Sequence, residues 1–164
     1  MFALSAAVGP IAGQNFGAKR IDRVYLTLTE SVRFVVIYCV VICSLLWLIQ
    51  PILVPLFNAS EEANQLVHLF CSGVSVMFVF NGITFATNAL FNNLGAAHYS
   101  TILNLLKATV GTIPFVAAGV WWGGAEGALW GLFAGSAVIG LLGLWVALRL
   151  IKQLEQQEKL AGHD

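Results

Sequence analysis

Residues 33–57 read RFVVIYCVVICSLLWLIQPILVPLF. After Arg33 the stretch contains no charged side chain. An α-helix needs about 20 mostly apolar residues to cross the hydrocarbon core of a bilayer. Lipid offers backbone N–H and C=O groups no partner, so a spanning segment of this kind must be helical. The rest of the chain has the same character. Of its 164 residues, 59% are hydrophobic and only 10% are charged, whereas a soluble domain carries roughly 25% charged residues. The mean hydropathy is +0.84. So few charges cannot cover so much apolar surface in water. The expectation is an all-α integral membrane fold.

Working outward, four stretches are long and apolar enough to span: about 32–53, 66–90, 101–122 and 128–151. Ser60 is a suitable N-cap for the second, with Glu61 and Glu62 placed to favour a helix N-terminus. The connections are short, so neighbouring spans should run antiparallel. The apolar start of the chain lacks the basic residues of a signal peptide and reads as the end of a membrane helix whose beginning is missing. The expected organisation is a partial helix and turn over 1–18, a basic loop over 19–31, a four-helix bundle over 32–151 and a polar tail over 152–164.

The basic residues set an orientation. Lys19, Arg20, Arg23 and Arg33 precede the main body of the first span, Lys107 lies early in the third, and Arg149, Lys152 and Lys159 follow or close the fourth. The opposite connections carry only Glu61, Glu62 and Glu126. By the positive-inside rule the basic loop and the C-terminus are expected in the cytoplasm, with the chain multi-pass in the inner (plasma) membrane. The four spans then alternate without conflict. Trp47, Trp121, Trp122 and Trp130 fall toward the outer ends, and Tyr99 at an inner end, as amphipathic rings prefer.

Polar residues inside the spans are the candidate functional groups, because they are costly in lipid. Asn81, Thr84 and Asn88 follow a three-four spacing and share one helix face. That face either bonds neighbouring helices or lines a wet cavity. Lys107 lies about 10 Å into its helix from Ser100, at 1.5 Å per residue. Snorkelling to the cytoplasmic surface is the first expectation for it, and an intramembrane charge facing the interior is the alternative. Arg33 and Glu30 are three apart and suited to pair. Pro114 removes the partner of the Val110 carbonyl and should kink the third span, as a packing kink or as a gating hinge. Gly127, Gly131 and Gly135 form a ladder of small residues that allows close helix approach, within this chain or to another. Cys39, Cys43 and Cys71 read as small buried residues, not as metal ligands or a disulfide framework. No nucleophile–base set, paired intramembrane carboxylates or metal-ligand spacing is present, so neither catalytic nor metal residues are assigned, and no cofactor or nucleic-acid partner is expected.

Upstream of the first span the chain reads GPIAGQNFGAKRIDR over residues 9–23. A phosphate-binding P-loop is excluded: no hydroxyl residue follows Lys19, and the glycine spacing is wrong. Gln14 and Asn15 are placed to satisfy backbone groups freed by Gly and Pro, and Gly17 suits a helix C-terminus. The basic residues can hold the turn against anionic lipid.

This segment, with Gly13, Gln14, Asn15, Gly17 and Ala18 at its heart, resembles the signature of the multidrug and toxic compound extrusion (MATE) transporters, in which Pro, then GQN-x-GA, then basic residues end the second helix of a six-helix lobe. A second, weaker marker is FNNLGAAHYS over 91–100, which is similar to the Asn-rich turn preceding a later helix of the family. The resemblance implies an incomplete C-terminal lobe, from the end of helix eight through helix twelve. It further implies part of an antiporter that exchanges organic cations for Na⁺ or H⁺, working with an N-terminal lobe or partner membrane chain and inactive alone. Asn81, Thr84 and Asn88 would then line the transport cavity. Some family members carry an acidic coupling residue in this helix. Here no Asp or Glu occurs between Asn64 and Ala125, so the coupling ion is expected to bind outside this lobe. A lipid-linked saccharide flippase of the wider superfamily, and a non-transporting membrane protein or remnant, are the alternatives.

Overall fold

The computed structural model describes residues 2–56 and 60–161. Six α-helices follow in order: α1 (Phe2–Gly17), α2 (Ile21–Leu56), α3 (Glu61–Ser72), α4 (Met77–Asn93), α5 (Ala97–Ala108) and α6 (Ile113–Ala161). A short 3-10 turn, Val74–Val76, joins α3 to α4. Among the described residues three stretches are long and apolar enough to cross a membrane: Ile21–Ile52, Val74–Asn93 and Ala97–Leu160.

The last of these folds back on itself. Gly123 (φ −147°, ψ 23°) and Gly124 (φ 58°, ψ −134°) leave helical geometry and divide α6 into an outgoing and a returning arm. Added β-carbons show how close the arms are. One on Gly127 would overlap the carbonyl oxygen of Gly119, one on Gly131 that of Phe115, and one on Gly135 that of Gly111. The glycine ladder therefore finds its partner within this chain. Packing, not a hydrophobic force, holds helices together in lipid, and small residues let backbones meet. The returning arm corresponds to the fourth expected span, whereas the third, about 101–122, comprises α5 and the outgoing arm and is broken between Ala108 and Ile113.

The central helix is α4. Over the apolar window of its stretch 56% of residues are buried, against 11% for α2. It packs on α1, α2, α5 and α6. The α2 helix lies at the periphery. In its first half the buried residues, Ile21, Val24, Leu28, Ser31, Val35 and Cys39, recur every three or four positions and form one stripe, and Gln50 is buried further along. Its remaining faces expose Phe34, Ile37, Val40, Val41, Trp47, Leu48 and Ile52, an apolar surface suited to lipid.

Two expectations are corrected, and the form of the polar tail is added. The basic loop over 19–31 is helix from Ile21 onward, because Ile21, Val24 and Leu28 bury as part of the α2 stripe and Asp22 favours the helix N-terminus. The polar tail beyond Ile151 remains helical to Ala161, supported by an i,i+4 bond of 2.6 Å from Lys159 Nζ to Glu155 Oε1, while the tail's last residues lie outside the described ones. The second span is not continuous. It breaks at Gly73, whose added β-carbon would lie 3.4 Å from Trp130 Cη2 on α6. Ser60 does cap α3, accepting a long hydrogen bond of 3.4 Å from the Ala63 N–H.

Charged residues border two clefts. Lys19, Asp22, Lys152, Glu155, Glu158 and Lys159 line one cleft, where the start of α2 meets the end of α6. Glu61 and Glu126 line another, where α3 meets the α6 hairpin. Arg33 and Glu30 lie 3.8 Å apart, both exposed. Cys39, Cys43 and Cys71 are free thiols, the first and last buried.

Candidate functional site

The polar residues meet along the seam between α4 and α5. These helices form a hairpin through Leu94–Ala96, in which Gly95 takes φ 73° and the Ala96 N–H donates to the Phe91 carbonyl at 2.9 Å. That is the Schellman closure, which needs a left-handed residue where glycine has no β-carbon to clash. Nested about this turn are two cross-helix bonds. Asn88 Nδ2 donates to Asn104 Oδ1 at 3.0 Å, and Lys107 Nζ donates to Asn81 Oδ1 at 2.6 Å.

Lys107 therefore does not take the snorkelling route expected of it. Its ammonium meets an amide about three helical turns, roughly 18 Å, from the Asn93 end of α4, counting 1.5 Å per residue from Asn81. A hydrogen bond to a charged donor is shorter and stronger than a neutral one, and the last turn of α5 also favours a cation.

The stripe Asn81, Thr84, Asn88 does not act as one unit. Asn81 and Asn88 reach α5, whereas Thr84 is buried and returns its hydroxyl to the Phe80 carbonyl at 2.9 Å. Among the described residues Asn88 Oδ1 is buried without a hydrogen-bond partner. A lone buried acceptor costs about 1–3 kcal/mol, so it is primed to take a donor. Asn104 was not singled out from sequence. Its signal was available, since it lies three residues before Lys107 and so on the same face.

The break at Pro114 lies next to this seam. α5 ends at Ala108 and α6 begins at Ile113. The Gly111 N–H skips to the Leu106 carbonyl at 2.7 Å, and the Thr112 hydroxyl donates to the vacated Lys107 carbonyl at 2.7 Å. Pro114 offers the Val110 carbonyl no N–H. The kink is thus a full break patched by threonine. Gly111 faces Ile139 on the returning arm.

The signature turn closes α1. The Arg20 N–H donates to the Asn15 carbonyl at 2.9 Å and the Lys19 N–H to the Phe16 carbonyl at 2.9 Å, again the Schellman pattern. The left-handed residue is Lys19, φ 56°, and not Gly17, which is still helical. Asn15 Nδ2 donates to the Ile11 carbonyl at 2.8 Å, while Pro10 frees the carbonyl of Ala6, so the amide does not repair the proline gap. Gln14 and Ala18 are exposed. The two motif segments touch: a β-carbon on Gly9 would overlap Asn93 Nδ2, and one on Gly13 would lie 3.5 Å from Asn93 Cβ.

Comparison with known proteins agrees with this architecture. The MatE family model matches residues 1–117. An uncharacterized 21 kDa protein in the iaaL 5′ region of Pseudomonas savastanoi is 26% identical over 163 residues, which is 99% of this chain and 52% of that protein. The Vibrio cholerae MATE transporter VcmN in its bent form superposes with a TM-score of 0.82 at 21% identity, over 95% of this chain and 35% of VcmN. A MATE in the straight conformation gives 0.84 at 18% identity, over 93% of this chain and 34% of its own. An inward-facing multidrug resistance MATE family transporter of the MOP superfamily gives 0.84 at 18% identity, over 93% and 36%. The chain thus spans about half the length of the curated relative and about a third of the solved transporters.

Proposed function

The chain belongs to the MatE family, whose model covers residues 1–117, and on that premise we propose that it is part of a multidrug efflux antiporter. Such a machine binds an amphipathic organic cation between two lobes and exchanges it for Na⁺ or H⁺ by alternating access. The chain makes and breaks no covalent bond in this reading, so it is not an enzyme. The observation that carries the proposal is the polar α4–α5 seam in the most buried helix of the bundle. Asn81, Asn88, Asn104 and Lys107 meet there, and the Asn88 carbonyl oxygen stands unpartnered among the described residues.

The cleft where Lys19, Lys152 and Lys159 mix with Asp22, Glu155 and Glu158 faces the cytoplasm in this reading, because the Lys and Arg residues gather at that end, and the carboxylates Glu61 and Glu126 face outward. The seam contains no carboxylate, so the coupling ion binds in a second lobe, supplied by further sequence or by a partner chain. The flippase reading asks for several cations along the cavity, and the seam offers only Lys107, already engaged by Asn81.

Ethidium efflux from liposomes tests the proposal. With this chain as the sole protein, an imposed Na⁺ or proton gradient should drive no efflux above protein-free vesicles. Joined to an N-terminal MATE lobe, it should drive efflux that Asn88→Leu abolishes. Efflux by the chain alone, or a joined transporter indifferent to Asn88, would overturn the reading.

A further inference from the structure

The returning arm of α6 turns one face out of the bundle. Val138, Leu141 and Trp145 lie on it, each half exposed, and Arg149 follows on the same face. Steps of three, four and four residues keep these side chains on one stripe of the helix. From Val138 to Arg149 the stripe runs about 16 Å at 1.5 Å per residue, which is half of a roughly 30 Å hydrocarbon core. It is apolar for the depth of one leaflet and then ends in a guanidinium. The opposite face is core: Ile139 and Ala147 are buried, and β-carbons on Gly140 and Gly143 would overlap Phe80 and Leu103.

Arg149 is held in place but not neutralised. Its Cζ lies 4.2 Å from the centre of the Trp145 ring. That cation–π contact uses a face of the guanidinium and leaves its N–H edges for oxygen acceptors. Among the described residues no carboxylate pairs with it. Glu155 and Glu158 turn instead to the cleft with Asp22, and Glu155 is held by Lys159. Arg33, at the edge of the apolar face of α2, differs in standing 3.8 Å from Glu30. Lys152, three residues past Arg149, is exposed at the rim of the cleft. An apolar stripe of leaflet depth that ends in a fixed guanidinium with free donors is the complement of an acyl chain and a phosphate carried by one molecule.

We propose that this outward face of α6 binds one anionic phospholipid of the leaflet at which α2 begins and α6 ends. The acyl chain lies along Val138, Leu141 and Trp145, the phosphate sits on Arg149, and Lys152 adds charge. The site uses none of the seam residues, and its occupation depends on neither a second lobe nor a cargo. The inference therefore goes beyond the transport reading and can fail independently of it.

Bromine quenches indole emission on contact, so Trp145 can report its own lipid neighbour. The full chain carrying Trp47→Phe, Trp121→Phe, Trp122→Phe and Trp130→Phe keeps Trp145 as its one indole. It is placed in phosphatidylcholine nanodiscs with a minor share of brominated lipid. Brominated phosphatidylglycerol should quench about fivefold more strongly, mole for mole, than brominated phosphatidylcholine, the preference that one cation confers at a membrane surface. Arg149→Gln should bring the two lipids to parity and leave quenching by phosphatidylcholine unchanged. Parity with Arg149 in place overturns the proposal, as does a preference that survives Arg149→Gln. So does loss of the preference in excess soluble glycerol phosphate, which would mark a site for free anions. Quenching by neither lipid would mean that protein covers the face, and overturns it too. A second reading uses the chain with all its tryptophans and so does not depend on the depleted fold. Native mass spectrometry should find one phosphatidylglycerol retained, and Arg149→Gln should lose it; equal retention would contradict the site.

Discussion

The side-chain amide of Asn93 lies against Gly9: a β-carbon there would overlap its Nδ2, while Nδ2 itself donates to the Ala89 carbonyl at 2.8 Å. The end of α4 thus rests in a notch cut by two glycines of α1. Gly9→Ala should displace the amide and lower stability by about 1 kcal/mol, and Asn93→Ala should relieve most of that loss, because neighbours in contact couple by about 0.5–3 kcal/mol. A thermal-unfolding double-mutant cycle in detergent reads the coupling. Additive losses would mean that the contact carries no energy.

The α6 hairpin should be far less forgiving. At Gly119 and Gly127 an added methyl meets backbone, which cannot rotate away. Either residue changed to Ala should cost about 3 kcal/mol or spread the arms, in the range of overpacked cores. Gly123→Ala, with nothing within 4 Å of its β-carbon, is the control and should be near neutral. Unfolding midpoints of the three variants provide the comparison.

The α1 turn places a lysine where glycine belongs. Lys19 has φ 56°, a conformation costing an L-residue about 1–2 kcal/mol. Lys19→Gly should therefore raise the unfolding midpoint. Gly17→Ala should raise it too, by about 0.5–1 kcal/mol, since Gly17 is helical with open space at its β-carbon. A fall in either variant would show that the turn is not closed in this way.

This turn also marks how far the sequence could be read. The all-helical membrane class and the kinship of GQNFGAKR were legible, because apolar length and a local motif are properties of single segments, whereas the breaks at Gly73 and before Ile113 were not. Which residue takes positive φ was not, since Gly17 and Lys19 lie two apart and only the Schellman bonds choose between them. The polar face of α4 was legible from the spacing of Asn81 and Asn88. Its partners Asn104 and Lys107 depend on the register about Gly95, which no local pattern encodes. The glycine ladder was legible as a close contact, but its partner required the reversal at Gly123 and Gly124.

Across the seam, removing one member of the Lys107–Asn81 pair should be worse than removing both. Asn81→Leu strands an ammonium in the bundle and should cost about 3 kcal/mol, while adding Lys107→Met should restore most of it. Unfolding of the single and double variants decides. Equal losses would mean that Lys107 already finds water without Asn81.

Whether the seam lines the proposed transport cavity is tested most directly with two adjacent residues of α5. Asn104 faces α4, and Leu105, 63% exposed, turns to another side at the same depth. With Cys39, Cys43 and Cys71 replaced by alanine, each is changed to cysteine in turn and exposed to a membrane-impermeant methanethiosulfonate. A thiol reacts as its thiolate, which requires water, so Asn104→Cys should react at least about tenfold faster than Leu105→Cys. Equal rates, or the faster reaction at Leu105, would contradict a cavity-lining seam and leave its asparagines as bonds between helices.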